Sequence, residues 1–463
     1  GAESIQLATG VDLSALTITG SASYELTLDA NAAVSMTVDQ HNAATAINAA
    51  GTTDQITLTT AGTLTGDADV ETYVLATAGG STFTLGSASQ NVTTGGGGDT
   101  LNVSTYTATG TFNTVNADTI QLGTGANISG VQAEGAAAGT ALDAEHLTID
   151  SGASVSMTVA QHNAFTGTIT AAGSETITFT TAGDATGFSV VEAYNLANGD
   201  QTFTLGADGQ NVTTSSGAIT VNTGAIGDIT DSAINGTNAT SLAIVLGATS
   251  DISDAVITGT TGTRDTNYTI TLDGFDSTLT IAQNALITSA SGAGNTVTLA
   301  DAGTATGNAA IEAYNLAAGT NTFTLGAASQ NVTTSSGAIT VNTGAIGDIT
   351  DSAINGTNAT SLAIVLGATS DISDAVITGT TGTRDTNYTI TLDGFDSTLT
   401  IAQNALITSA SGAGNTVTLA DAGTATGFSQ VENYILSSAG PNTFTVGATA
   451  QNVTGGSAAD TVN

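Results

Sequence analysis

The sequence predicts an all-β fold, a parallel β-solenoid built from about four repeats of 120 residues, and three observations carry this reading. The chain copies itself: residues 210–307 recur without change as residues 330–427, 98 residues at an offset of 120. Self-similarity on that scale marks stacked repeat architectures. Short runs such as Thr278-Leu-Thr-Ile281, Thr296-Val-Thr-Leu299, Thr322-Phe-Thr-Leu325, Ala338-Ile-Thr-Val341 and Thr389-Ile-Thr-Leu392 alternate polar and apolar residues between Gly, Asn, Asp and Ser. That period of two reads as strand. Finally, there is no Trp and aromatic residues make up 4% of the chain. A narrow coil core filled by Val, Ile and Leu accepts that composition. Tandem β-sandwich domains, the alternative, use longer strands, typically about 5–6 residues, and usually place large aromatics in the core.

The repeats set the boundaries. Phe83-Thr-Leu-Gly86 returns as Phe203-Thr-Leu-Gly206, Phe323-Thr-Leu-Gly326 and Phe444-Thr-Val-Gly447, and Gln90-Asn-Val-Thr93 returns at Gln210, Gln330 and Gln451. These anchors divide the chain into a partial first repeat (1–90), three repeats (91–210, 211–330 and 331–450) and the start of another (451–463). Residues 4–20 align with 243–259 and residues 451–463 with 330–342, so the sequence is expected to be an excerpt of a longer array. Helical periodicity is poor, and Ala-rich patches such as residues 302–313 are expected to hold a helical turn at most. The 57 glycines supply the corners that coils need.

Charge narrows the partners. There are 39 acidic residues against two Arg and no Lys, a net charge of −37. Nucleic acid and anionic membrane surfaces are bound through clustered Lys and Arg, so neither is expected as a partner. No apolar run approaches the ~18–20 residues that span a bilayer. A metal cation is the plausible counter-charge. Asp outnumbers Glu 30 to 9, and the 98-residue copied block holds eight Asp and no Glu. Asp suits tight turns and calcium loops. With no Cys in the chain, stability is expected from ladders and metal rather than from disulfides.

Two motifs carry a resemblance. Gly455-Gly-Ser-Ala-Ala-Asp460-Thr-Val462 follows the pattern Gly-Gly-x-Gly-x-Asp-x-apolar with Ala458 at the third Gly, and Gly95-Gly-Gly-Gly-Asp99-Thr-Leu101 is one residue short of it. The middle copies read Thr213-Thr-Ser-Ser-Gly217 and Thr333-Thr-Ser-Ser-Gly337 instead. Each copy also carries Val70-Glu-Thr-Tyr73 or its equivalent (Val191-Glu-Ala-Tyr194, Ile311-Glu-Ala-Tyr314, Val431-Glu-Asn-Tyr434) ahead of the Phe-Thr and Gln-Asn-Val-Thr phrases. Together they resemble the nonapeptide and β-strand repeats of bacterial RTX-type surface-layer proteins and large adhesins. The resemblance implies type I secretion, calcium-dependent folding outside the cell and assembly on its surface, with Asp99 and Asp460 as candidate calcium ligands.

Further carboxylates come in turn-like pairs: Asp228 with Asp231, Asp251 with Asp254 and Asp273 with Asp276, repeated as Asp348 with Asp351, Asp371 with Asp374 and Asp393 with Asp396. Each is a candidate calcium pair, Asp273-Gly-Phe-Asp276 above all, because Gly274 permits a tight turn. The bland alternative is solvated turn acids. Extracellular calcium modules bind at ~10⁻⁴–10⁻³ M, so each site adds only about 0.4–1.4 kcal/mol at millimolar calcium. His41 and His162 sit in matching Gln-His-Asn phrases and His146 stands alone; all three are expected on exposed strands or turns. Glu of Val-Glu-x-Tyr is expected to point outward, and Arg264 and Asp265 to form a surface ion pair. Asn91, Asn211, Asn235, Asn238 and Asn267 begin Asn-x-Thr or Asn-x-Ser sequons, which arise readily in a Thr-rich chain.

These observations lead to the expectation of an extracellular structural protein that forms a surface layer or filament with itself as partner. The alternative is the repetitive stalk of a large adhesin, with cell-surface polysaccharide as a further partner. A solenoid enzyme would need a base beside a cationic group in a groove, and the chain has two Arg in all.

Overall fold

In the computed structural model, residues 3–18, 23–115, 118–133, 138, 142–260, 267–380 and 387–463 are described. The chain divides into two units. One comprises Gly1–Asn222, Asp231–Leu242 and Val256–Asn267, and the other Thr223–Thr230, Ala243–Ala255 and Tyr268–Asn463. Each is a parallel β-solenoid. In the first unit, Ala33–Met36, Gln55–Leu58, Thr72–Val74, Asn91–Thr93 and Phe112–Asn113 stack into one parallel sheet. A second sheet runs through Thr63–Thr65, Thr82–Thr84, Thr100–Val103, Thr119–Leu122 and His146–Ile149. In the second unit, Ser277–Leu279, Thr296–Leu299, Ala313–Asn315, Asn331–Thr333 and Ala353–Asn355 do the same. Strands of a β-sandwich would pair antiparallel; these strands pair parallel, each with the strand one coil away.

Period two explains which residues line the core. Val34, Ile56, Tyr73, Val92 and Phe112 occupy one inward column, and Leu64, Phe83, Leu101, Ile120 and Leu147 the facing one, all buried. Outward positions fall in register too, so Thr63, Thr82, Thr100 and Thr119 form a continuous column. The few aromatics are central rather than dispensable. Tyr73, Tyr194, Tyr314 and Tyr434 are among the largest fully buried side chains, and each meets the Phe about ten residues on, in the other sheet, with ring centroids 4.7–4.8 Å apart in a tilted geometry. Such a pair contributes roughly 0.5–1.5 kcal/mol beyond the area it buries.

Residues 302–313 hold the strand Thr304–Thr306 and no helical turn, within the limit of one turn read from the sequence. Helical turns lie elsewhere: α1 (Val38–Ala43), α2 (Val159–Ala164), α3 (Ile281–Asn284) and α4 (Ile401–Asn404). Each opens on a capping box, Thr37 with Gln40, Thr158 with Gln161, Thr280 with Gln283 and Thr400 with Gln403, which satisfies two free amides at once. The run read as strand from Thr278 to Ile281 therefore stops at Leu279, since Thr280 is already the cap.

Candidate functional site

The residues that recur in every copy converge on the corners, and their shared task is to tie one coil to the next. Gln90 Oε1 accepts the Gly86 amide at 2.7 Å, while Nε2 donates to the carbonyls of Asp67 (2.6 Å) and Val70 (3.0 Å) one coil below. Gln210, Gln330 and Gln451 repeat the pattern on Gly206, Gly326 and Gly447. The glycines are needed because the corners touch: a Cβ on Gly86 would lie 1.8 Å from the Gly66 carbonyl oxygen, and one on Gly206 1.8 Å from that of Gly187. The tyrosine hydroxyl accepts a backbone amide from the same corner at 2.7 Å in each copy, for example Phe188 N to Tyr194.

That hydroxyl also meets the short helix. It lies 3.2 Å from His41 Nε2 and 3.5 Å from His162 Nε2 in the first two copies, and donates to Asn284 Oδ1 and Asn404 Oδ1 at 3.1 Å in the later two. His41 and His162 are thus buried on α1 and α2, not exposed as expected; a helix facing the core replaces the turn. Burial pushes the His162 imidazole down to about 4 against a weaker pull from Asn163. His146 is half-buried at the start of its strand, its Nδ1 accepting the Thr168 amide at 2.7 Å.

The glutamates of Val-Glu-x-Tyr are stapling groups as well, not outward-facing residues. Glu71 Oε2 accepts the Asp54 amide at 2.8 Å and Glu192 Oε2 the Glu175 amide at 2.9 Å. Glu312 Oε2 takes both the amide (2.9 Å) and the side-chain Nδ2 (3.2 Å) of Asn295. The recurring spacing of Gln, Glu and Tyr was a readable signal of structural duty; their partners were not readable.

The two nonapeptide-like corners use their carboxylates in the same way. Asp99 is fully buried, with Oδ1 accepting Ser81 N at 2.7 Å and Oδ2 accepting Gly95 N at 3.0 Å; its own amide donates to Asp118 Oδ1 at 3.0 Å. Asp460 Oδ1 accepts from Asn442 N and Nδ2, and Oδ2 from Gly456 N at 2.7 Å. These bonds, the Asn442 side chain first, hold the Asp460 carboxyl below the ordinary range. With both oxygens of each carboxylate accepting N–H groups, these two corners are hydrogen-bonded turns.

The remaining candidate acids lie at or beside turns. Asp228 and Asp348 accept the amides of Thr230 and Thr350 at 2.9 Å, which lowers their pKa. Asp251 and Asp371 accept the amide and hydroxyl of Ser253 and Ser373. Asp273 and Asp393 accept the hydroxyls of Ser291 and Ser411 from the next coil, beside Gly274 at φ +81° and Gly394 at φ +82°. Asp276 and Asp396 accept the amides of Thr296 and Thr416 at 3.0 Å. Asp231, Asp254, Asp351 and Asp374 are exposed at turns. Pairing runs along the coil axis instead: Asp228 bridges to Asp251 and Asp348 to Asp371, and Asp251 and Asp276 line one cavity of about 210 Å³. Among the described residues no group of three or more His, Asp or Glu gathers as a metal centre. Arg264 and Asp265 lie outside the described residues.

Comparison of the chain with protein-family models, with curated proteins and with solved structures finds no match in any of the three. A larger groove, about 520 Å³, lies beside α2, where half-buried Phe188 stacks on His162 at 4.0 Å and Asp184, Asn163, Thr186 and Thr204 supply polar groups.

Proposed function

We propose that this chain is an extracellular structural protein whose coils build a surface layer or filament by packing against further copies of itself. The observation that carries the reading is the use made of the repeated motifs. Gln, Gly, Tyr, Phe and Glu recur in every copy, and each is occupied in joining one coil to the next. A chain that repeats its staples and varies the rest spends its sequence on a continuous scaffold. The acidic, Cys-free composition supports life outside the cell, where ladders and bound calcium would take the place of disulfides. No catalytic role is proposed.

The stalk of a large adhesin is the second reading, and the groove beside α2 favours it. A half-exposed aromatic face next to carboxylate, amide and hydroxyl groups suits a sugar ring, so cell-surface polysaccharide is the proposed ligand there. Secretion and calcium dependence of the RTX type are part of the proposal through the resemblance of the motifs.

Electron microscopy of the purified protein in millimolar calcium and in excess chelator tests the proposal. Sheets or fibres that dissolve in chelator are expected. Rods that stay single and intact in both would remove the lattice and leave the stalk.

A further inference from the structure

Resting on the calcium part of the proposed function, we infer that the cleft between Asp251 and Asp276, and its copy at Asp371 and Asp396, is a divalent-cation site formed across two coils. The strand register brings the pieces together: Ser250 lies opposite Ser277, and Asp251 opposite Thr278. Asp276, immediately before Ser277, therefore sits diagonally across from Asp251, and both line the same cavity with Thr249 and Ser277. Each carboxylate spends Oδ1 on a hydrogen bond, Asp251 on Ser253 in its own turn and Asp276 on the Thr296 amide of the following coil, and among the described residues no hydrogen bond occupies either Oδ2.

The second observation is Ser277 itself. It is 3% exposed, and its hydroxyl has no hydrogen-bond partner. The earlier copies place a different residue here. Ser277 pairs with Val297, which pairs with Tyr314. At the same place relative to the tyrosine, the first copy has Val34 (opposite Ile56, then Tyr73) and the second has Val155 (opposite Ile177, then Tyr194), both buried. Two copies thus place a valine in the core where the later two bury a hydroxyl that the protein leaves unpaired, Ser277 and Ser397 alike. The residue just before it changes in the same step, from Ala33 and Ser154 to Asp276 and Asp396. A core position given up for an orphan hydroxyl, together with a new carboxylate, is unfavourable by itself and makes sense if a ligand completes the set.

The donors are carboxylate and hydroxyl oxygens, which suit calcium, a hard cation that tolerates irregular shells and fills them with water. The chain offers few cations of its own to compete: two Arg in 463 residues. The site is open, and its affinity is expected in the range of extracellular modules, ~10⁻⁴–10⁻³ M.

Titration calorimetry of the full chain with calcium chloride tests this. The expected result is binding that falls by half in Asp276→Asn and loses this class of site altogether in Asp276→Asn combined with Asp396→Asn. Because acid-to-amide changes can act through charge alone, Ser277→Val with Ser397→Val is the second variant. It restores the valine of the earlier copies, and is expected to melt higher than the parent in chelator while gaining less on adding calcium. Binding unchanged in both double variants, or a cleft that holds water only and no calcium, overturns the site. If calcium still organises lattices in those variants, the structural reading stands and the cation lies elsewhere; if lattices never form although calcium binds with the expected stoichiometry, the site stands and that reading falls.

Discussion

The Tyr194 hydroxyl lies 3.5 Å from His162 Nε2 while it accepts the Phe188 amide at 2.7 Å. The phenol keeps a proton to give, and burial favours the neutral imidazole that can accept it. Asn284 and Asn404 do the same work with an amide oxygen, and the buried Tyr314 and Tyr434 phenols are pushed up to about 12. The exchange of His for Asn between copies is a substitution of one acceptor for another.

A pH dependence follows. Burial lowers the folded-state pKa of His162 from 6.5 to about 4, so between those values the unfolded chain binds the extra proton. Stability from this group is full above about pH 6.5 and declines as pH falls toward 4, by about 3 kcal/mol over the whole window, since one unit corresponds to about 1.4 kcal/mol. His162→Asn, copying Asn284, is expected to keep the tyrosine bond and flatten this slope. Urea titrations at pH 7, 5.5 and 4.5 read it out; an unchanged slope in the variant would refute the assignment.

The glutamine staple is open to direct test. Gln210→Leu removes an acceptor from Gly206 N and a donor from the carbonyls of Phe188 and Val191. Stranded buried groups cost about 1–3 kcal/mol each, so a loss on the order of 3 kcal/mol is expected in chemical denaturation. Because each coil contacts only its neighbours, protection from hydrogen exchange should fall first around residues 188–214.

Glycine need not be equally strict at every corner. Gly206→Ala would put Cβ 1.8 Å from the Gly187 carbonyl oxygen, a backbone atom that cannot swing aside; the expected loss is roughly 3 kcal/mol or more. Gly209 has φ +77° with nothing within 4 Å of the added Cβ, and Gly209→Ala should cost only the left-handed penalty, roughly 1–2 kcal/mol. Comparable thermal shifts for the two would contradict the close-approach argument.

Acid should loosen the Asp-capped turns. Backbone and side-chain bonds from Thr230 and Thr350 hold Asp228 and Asp348 below the ordinary aspartate value of 3.8. Their stabilisation is present above the unfolded pKa and is lost as pH falls through the lower folded one. NMR titration of the side-chain carboxyl carbons should place both midpoints below 3.8, and Thr230→Val and Thr350→Val should each move its partner upward.

Much of the architecture was legible because it depends on local pattern. Alternation of Thr with Val, Ile and Leu sets which side of each strand faces inward, and the small-residue composition and long self-copy favoured stacked coils over sandwiches. Gly274 and Gly394 were readable as turn residues from the Asp-Gly-Phe-Asp phrase alone, and the Thr-x-x-Gln capping boxes were readable signals that the strand pattern obscured.

What stands opposite each residue was decided by the tertiary structure. Coil lengths are irregular: Gln55 lies against Thr72, 17 residues on, Val212 against Ile234, 22 on, and Ser250 against Ser277, 27 on. No fixed period therefore assigns partners. Spacing alone therefore pairs Asp251 with Asp254 and Asp273 with Asp276 within turns, while the diagonal relation of Asp251 to Asp276 appears only with the register between coils. That register is also why Asp99 and Asp460, spaced like calcium ligands, turn both oxygens to backbone amides. Spacing along a chain determines which residues can share a turn; only the register between coils determines which donors a buried carboxylate meets.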